Sequence, residues 1–183
     1  MTRESEVAIN ETDVRIGTTP AGCLSAGTGM LFPDVTLPTP DGMPVSLGQY
    51  RGRRNLVVVL LGAGGPDERV VSLLEQLARS SAALDEETAK LLVIRTDHTD
   101  QSSIGERPSI TVLVDEDGAF HRSMGAVDAA GHPSPSLYIT DLYREIFLAA
   151  RPGDSTWPEH AESVQSWLVF MNIQCPECNV PEW

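Results

Sequence analysis

Three cysteines stand in the chain, at Cys23, Cys175 and Cys178, and the last two form Cys175-Pro176-Glu177-Cys178. A Cys-x-x-Cys pair either cycles between dithiol and disulfide or supplies half of a zinc site. Zinc needs four ligands, and there is no second cysteine pair. The histidines, His98, His121, His132 and His160, are scattered. A zinc site would therefore need Cys23 plus a histidine, or two chains sharing one ion. A redox dithiol needs nothing further, which makes Cys175 and Cys178 the leading candidate for chemistry, with Cys23 as a thiol that could pair with them. Two surface thiols without a role complete the alternatives. No metal ion or other cofactor is expected. Glu177 and the acidic surroundings disfavour the thiolate, so the pair reads as a modest exchanger and not as a highly reactive nucleophile. A second group, Asp97, His98 and Asp100, follows a buried strand, where α/β proteins place ligands. Such a run is more often a solvated loop.

The stretch from Asn55 to Ala78 organises the elements around these groups. Leu56 to Leu61 is a continuous apolar, largely β-branched run, the pattern of a strand covered on both faces. Gly62-Ala63-Gly64-Gly65-Pro66 is a loop, and Pro66 suits the first position of a helix. Asp67 and Glu68 fall in the first turn, where the helix dipole favours negative charge. Val70, Val71, Leu73, Leu74 and Leu77 give that helix one apolar face. A strand turning sharply into a helix is a usual place for chemistry, yet Gly62 to Arg69 contains no Cys, Ser, His or Lys.

Upstream, Asp41-Gly42 is a turn signal between Val35–Leu37 and Val45–Leu47. Downstream, Leu91–Arg95 reads as a strand parallel to the first, with the helix as crossover. Thr96 to Pro108 is short and polar. Ile110–Val114 is a further strand, Asp115–Gly118 a turn, and Ala119–Gly125 a short helix ending at Gly125. Leu137–Thr140 and Glu145–Ala149 form an antiparallel hairpin. Thr156-Trp157-Pro158-Glu159 is a capping-box pattern with Pro at the first helical position. Val164, Trp167, Leu168 and Met171 give that last helix its packing face, and Pro176 stops it.

From about Gly29 to Met171 this order resembles the thioredoxin-like fold, in the redoxin branch that holds alkyl hydroperoxide reductase/thiol-specific antioxidant proteins and thiol-disulfide oxidoreductases. The closest likeness is the hairpin closing in Val45-Ser46-Leu47-Gly48-Gln49-Tyr50-Arg51-Gly52. The resemblance implies an α/β fold with a mixed central sheet flanked by helices. It implies an active-site turn at Gly64-Gly65-Pro66-Asp67, with Gly64 and Asp67 where two cysteines would fall. That turn is therefore degenerate, and standard peroxiredoxin chemistry is excluded there. It also implies a cis-proline at Pro135, and a glycine in the hairpin turn where this chain has Arg144. The partner implied is a protein thiol or disulfide, or a thioredoxin-type reductant, with a homodimer as the assembly. The alternative function is a non-catalytic binding or assembly module.

One domain accounts for 183 residues. The division is an N-terminal extension over 1–29, rich in small polar residues and glycine, a body over 30–174 and a Cys-Pro-Glu-Cys tail over 175–183. A net charge of −13 repels nucleic acid and anionic membranes, so neither is an expected partner. No apolar run is long enough to span a bilayer, and the first residues lack the apolar core of a signal peptide. A cytoplasmic protein is the expectation.

Overall fold

The computed structural model describes residues 26–64, 67–96 and 109–174. Five strands form one mixed sheet in the order β5-β4-β3-β6-β7, with a separate two-stranded hairpin, β1-β2. The strands are β1 (Thr36–Pro38), β2 (Pro44–Ser46), β3 (Asn55–Leu60), β4 (Ala89–Arg95), β5 (Ile110–Val114), β6 (Ser136–Thr140) and β7 (Ile146–Ala150). Helices α1 (Glu68–Arg79), α2 (Ser81–Glu86), α3 (Ala119–Ser123) and α4 (Ala161–Ile173) complete the body, with a 3-10 turn at Leu47–Tyr50. Strands β3, β4 and β5 are parallel, while β6 runs antiparallel to β3 and to β7.

The apolar run at the centre behaves as its composition dictates. Every residue of β3 is buried. Val57, Val59 and Leu61 face a core layer with α1, α2 and α4, including Leu73, Leu77, Val164 and Leu168. Leu56, Val58 and Leu60 face the other layer, with Phe32, Leu47, Phe120 and Tyr138. Alternation puts successive side chains on opposite faces, so a strand with two covered faces must be apolar throughout. On the second face Phe32 packs edge-on against both Phe120, at 5.8 Å between ring centroids, and Tyr138, at 5.7 Å. Burial pushes the Tyr138 hydroxyl up to about 12. It donates to the Met124 carbonyl.

Several boundaries differ from the sequence expectation for physical reasons. Helix α1 begins at Glu68, with Asp67 as its cap and its carboxylate accepting from Arg69 N–H at 2.9 Å. Pro66, expected as the first helical residue, lies outside the described residues. Helix α4 begins at Ala161, not inside the capping-box pattern. Trp157 is instead buried in the preceding turn, where its N–H bonds to the Asp154 carbonyl. The Ala161 N–H is met by Gln76 Oε1 of α1 at 3.2 Å, a tertiary cap in place of a local one. Helix α2 was not expected. Ala26 is buried and Gly29 N–H bonds to the Ile146 carbonyl, so Ala26–Gly29 lie on the body. The crossover from Thr96 to Pro108 falls, beyond Thr96, outside the described residues.

Candidate functional site

The end of β3 is held from three sides. Gly62 accepts the ring of Pro135, where a Cβ would come within 2.7 Å of Pro135 Cδ and 3.2 Å of the Pro133 carbonyl. The next residue, Ala63, donates its N–H to that carbonyl at 3.1 Å. Gly62 is thus required by close approach, whereas nothing stands within 4 Å of a Cβ built on Gly64. No peptide bond among the described residues is cis. The Ser134–Pro135 bond is therefore trans, contrary to expectation. The tertiary amide itself favours trans. In that form the proline ring seats on the bare Cα of Gly62, while Ser134 N–H bonds to the Ala126 carbonyl.

Of the expected turn, Gly64 and Asp67 are described, and Gly65 and Pro66 are not. Gly64 is open, and Asp67 uses its carboxylate as the α1 cap. The helix N-terminus therefore meets a carboxylate of its own chain. Cys23, Cys175 and Cys178 lie outside the described residues, as do Asp97, His98 and Asp100. Among the described residues no group of three His, Cys, Asp or Glu side chains could hold a metal ion.

The structure does bring together one pair that the sequence reading passed over. His121, 0% exposed, and Asp115, 3% exposed, form a contact of 2.7 Å between Nδ1 and Oδ2. The other ring nitrogen, Nε2, lies 3.0 Å from the Leu61 carbonyl, immediately before Gly62. Asp115 also accepts from the backbone N–H groups of Phe120, at 3.1 Å, and His121, at 2.9 Å. Burial pushes the Asp115 carboxyl up. The His121 ring and these backbone donors outweigh it and hold the group below the ordinary carboxylate range. The signal available in the sequence was an Asp closing an apolar strand, followed by a His in the short helix, a spacing that puts both against the end of β3.

Arg144 is a second group of interest. It sits at φ +77° in the β6–β7 turn, the left-handed conformation a glycine would take. Its guanidinium is buried, donating to the Pro33 carbonyl at 2.6 Å and standing 3.5 Å from Asp34. The expected departure from glycine is thus a side chain that reaches back to anchor the first segment of the body.

With this geometry in view, the family model for redoxins matches residues 27–148. The chain belongs to the redoxin family. Solved structures of similar fold include peroxidoxin BcpB from Mycobacterium tuberculosis, 18% identical with a TM-score of 0.64 over 82% of this chain and 99% of that one. The thiol peroxidase from Chromobacterium violaceum is 20% identical, with a TM-score of 0.59 over 81% and 89% of the two chains. The reduced 2-Cys peroxiredoxin of Plasmodium vivax is 12% identical, with a TM-score of 0.63 over 79% and 81%. No curated protein matches the sequence. As a redoxin, the chain is notable for having no cysteine between Leu24 and Gln174.

Proposed function

We propose that this redoxin exchanges thiols and disulfides through Cys175 and Cys178, apart from a β3–α1 turn that has lost its chemistry. One observation carries the reading. In a family matched over residues 27–148, the one close cysteine pair in the chain follows the last helix, and the turn holds no thiol. A thiolate of the pair attacks a partner disulfide, forming a mixed disulfide and releasing one partner thiolate. The second cysteine attacks that mixed disulfide, closing Cys175–Cys178 and releasing the other thiolate. Two electrons pass to the partner, and a thioredoxin-type dithiol restores the pair by the reverse sequence.

The anchoring of α4 supports separation of the pair from the turn. Near its C-terminal end Asn172 accepts from Asn55 Nδ2 at 2.9 Å, at the start of β3. The turn is at the other end of that strand, about 20 Å away at ~3.3 Å per residue. Four residues of fully extended chain from Gln174 to Cys178 span at most about 14 Å. Helix α4 therefore ends beside the end of β3 opposite the turn. A cytoplasmic setting would keep the pair reduced between turnovers. No helix among the described residues is long and apolar enough to cross a membrane.

The second reading is a non-catalytic binding module, favoured by the Asp67 cap at the helix N-terminus. Disulfide exchange with insulin or a small aromatic disulfide separates the two. The double variant Cys175→Ser/Cys178→Ser is expected to lose exchange while keeping its circular dichroism spectrum. Full exchange in that variant would remove the redox reading. Zinc bound to the purified protein would turn the pair into a structural clip.

A further inference from the structure

We propose that His121 is a buried imidazolium that ties the β3–α1 turn to the β5–α3 loop and releases the turn when the ring loses its proton. The hydrogen-bond inventory carries this. A neutral imidazole has one donor nitrogen and one acceptor nitrogen. In this structure both nitrogens face oxygen. Nε2 meets the Leu61 carbonyl, which can only accept. Nδ1 meets Asp115 Oδ2, on a carboxylate that already accepts from two backbone N–H groups. With His121 fully enclosed, water cannot serve an unmatched nitrogen. A neutral ring beside a carboxylate would set a lone pair against an oxygen at one of these contacts. The doubly protonated ring satisfies both and places its charge against Asp115.

The contact bears on the turn itself. The Leu61 carbonyl is the last group of the β3 run before Gly62, and its own N–H bonds to the Ile94 carbonyl. Asp115 is fixed in turn, its N–H bonding to the Arg95 carbonyl at the end of β4. His121 thus joins the C-terminal ends of β3 and β5, while Pro133 and Pro135 hold Ala63 and Gly62. The other charged groups on the surrounding elements are Arg95 on β4 and Glu116, Asp117 and Arg122 around α3. Arg122 donates to the Asp117 carbonyl outside the enclosed pair. Asp128 and His132 pair on the loop beyond α3, both well exposed. On β6 the titratable group is Tyr138, neutral at ordinary pH. Asp115 is therefore the described carboxylate directly against the ring.

Long-range proton–nitrogen NMR of the full-length, nitrogen-15-labelled protein reads the state directly. Both His121 ring nitrogens are expected at protonated shifts. One ring nitrogen at the position of a free lone pair would overturn the proposal. On raising the pH, loss of the ring proton is expected to coincide with a fall of about tenfold or more in the exchange protection of the Ala63 amide. His121→Gln, which keeps a single donor group, is expected to show the low protection at every pH. Unchanged Ala63 protection in that variant, or a wild-type ring that titrates with no change at Ala63, would refute the release. Should His121→Gln fail to fold, both wild-type measurements still decide the matter.

Discussion

Gly62, Asp115 and Arg144 are the positions where one side chain, or its absence, decides local structure. Gly62→Ala is expected to destabilise by about 1–3 kcal/mol, the usual cost of overpacking, because its methyl would strike the Pro135 ring. A urea titration compared with wild type measures it, and an unchanged midpoint would show that Pro135 moves freely. Asp115 sets an acid limit. Its folded-state value is lowered, so its contribution is complete above the ordinary carboxylate value and is lost as pH falls through the lowered one. Asp115→Asn is expected to flatten that part of the acid limb in unfolding free energy measured against pH. The same variant also replaces the carboxylate that meets His121 Nδ1, so it is less stable at neutral pH as well. Arg144→Gly would relieve a left-handed backbone, worth about 1 kcal/mol, and lose a buried charged hydrogen bond worth about 1.5–3 kcal/mol. Net destabilisation is therefore expected, and a gain in melting temperature would show that the Pro33 and Asp34 contacts contribute little.

Helices α1 and α4 are secured in different ways. Helix α1 is capped by its own Asp67, and Asp67→Ala is expected to cost about 0.5–2 kcal/mol. Helix α4 relies on Gln76 of α1 at its start and on Asn55 of β3 near its end. Its inward face, Val164, Leu168 and Met171, lies in the core. Leu168→Ala is expected to cost about 2–5 kcal/mol by the cavity it leaves. Thermal unfolding followed by circular dichroism measures both variants. If α4 is held mainly by this face, Leu168→Ala exceeds Gln76→Ala measured in the same way, and the reverse order would assign its anchoring to the polar ends. This matters for the proposed function because α4 fixes the point from which the Cys175–Cys178 segment departs.

Taken as one molecule, the chain keeps the redoxin frame while its thiols lie outside the sheet-bearing span. The five-stranded sheet places the end of β3, the Pro133–Pro135 segment and the β5–α3 loop together. The turn at this meeting point holds no thiol, and the exchange proposed above is assigned to the pair after α4. The net charge of −13 adds a test at this level. Exchange with a basic protein disulfide is expected to slow as salt rises, through screening of the acidic surface. Exchange with a neutral small disulfide should be insensitive.

Short-range chemistry in the chain was enough to specify most elements. The apolar Leu56–Leu61 run reads as a strand with two covered faces, Asp41-Gly42 as a turn, and Gly125 as the end of a helix, where its φ is +67°. The order of these elements pointed to the redoxin frame, and the absence of cysteine from the turn was plain in the residue types. The tertiary structure decided whatever depends on groups far apart in sequence. Gln76 caps α4 across 85 residues, so a convincing local capping box at Thr156 was bypassed. Pro135 is trans with its ring seated on Gly62, a contact that no local rule describes. The His121 ring finds the Leu61 carbonyl across 60 residues. Patterns of spacing report which face a residue occupies, whereas pairing of buried polar groups depends on which faces meet, and only the folded chain settles that.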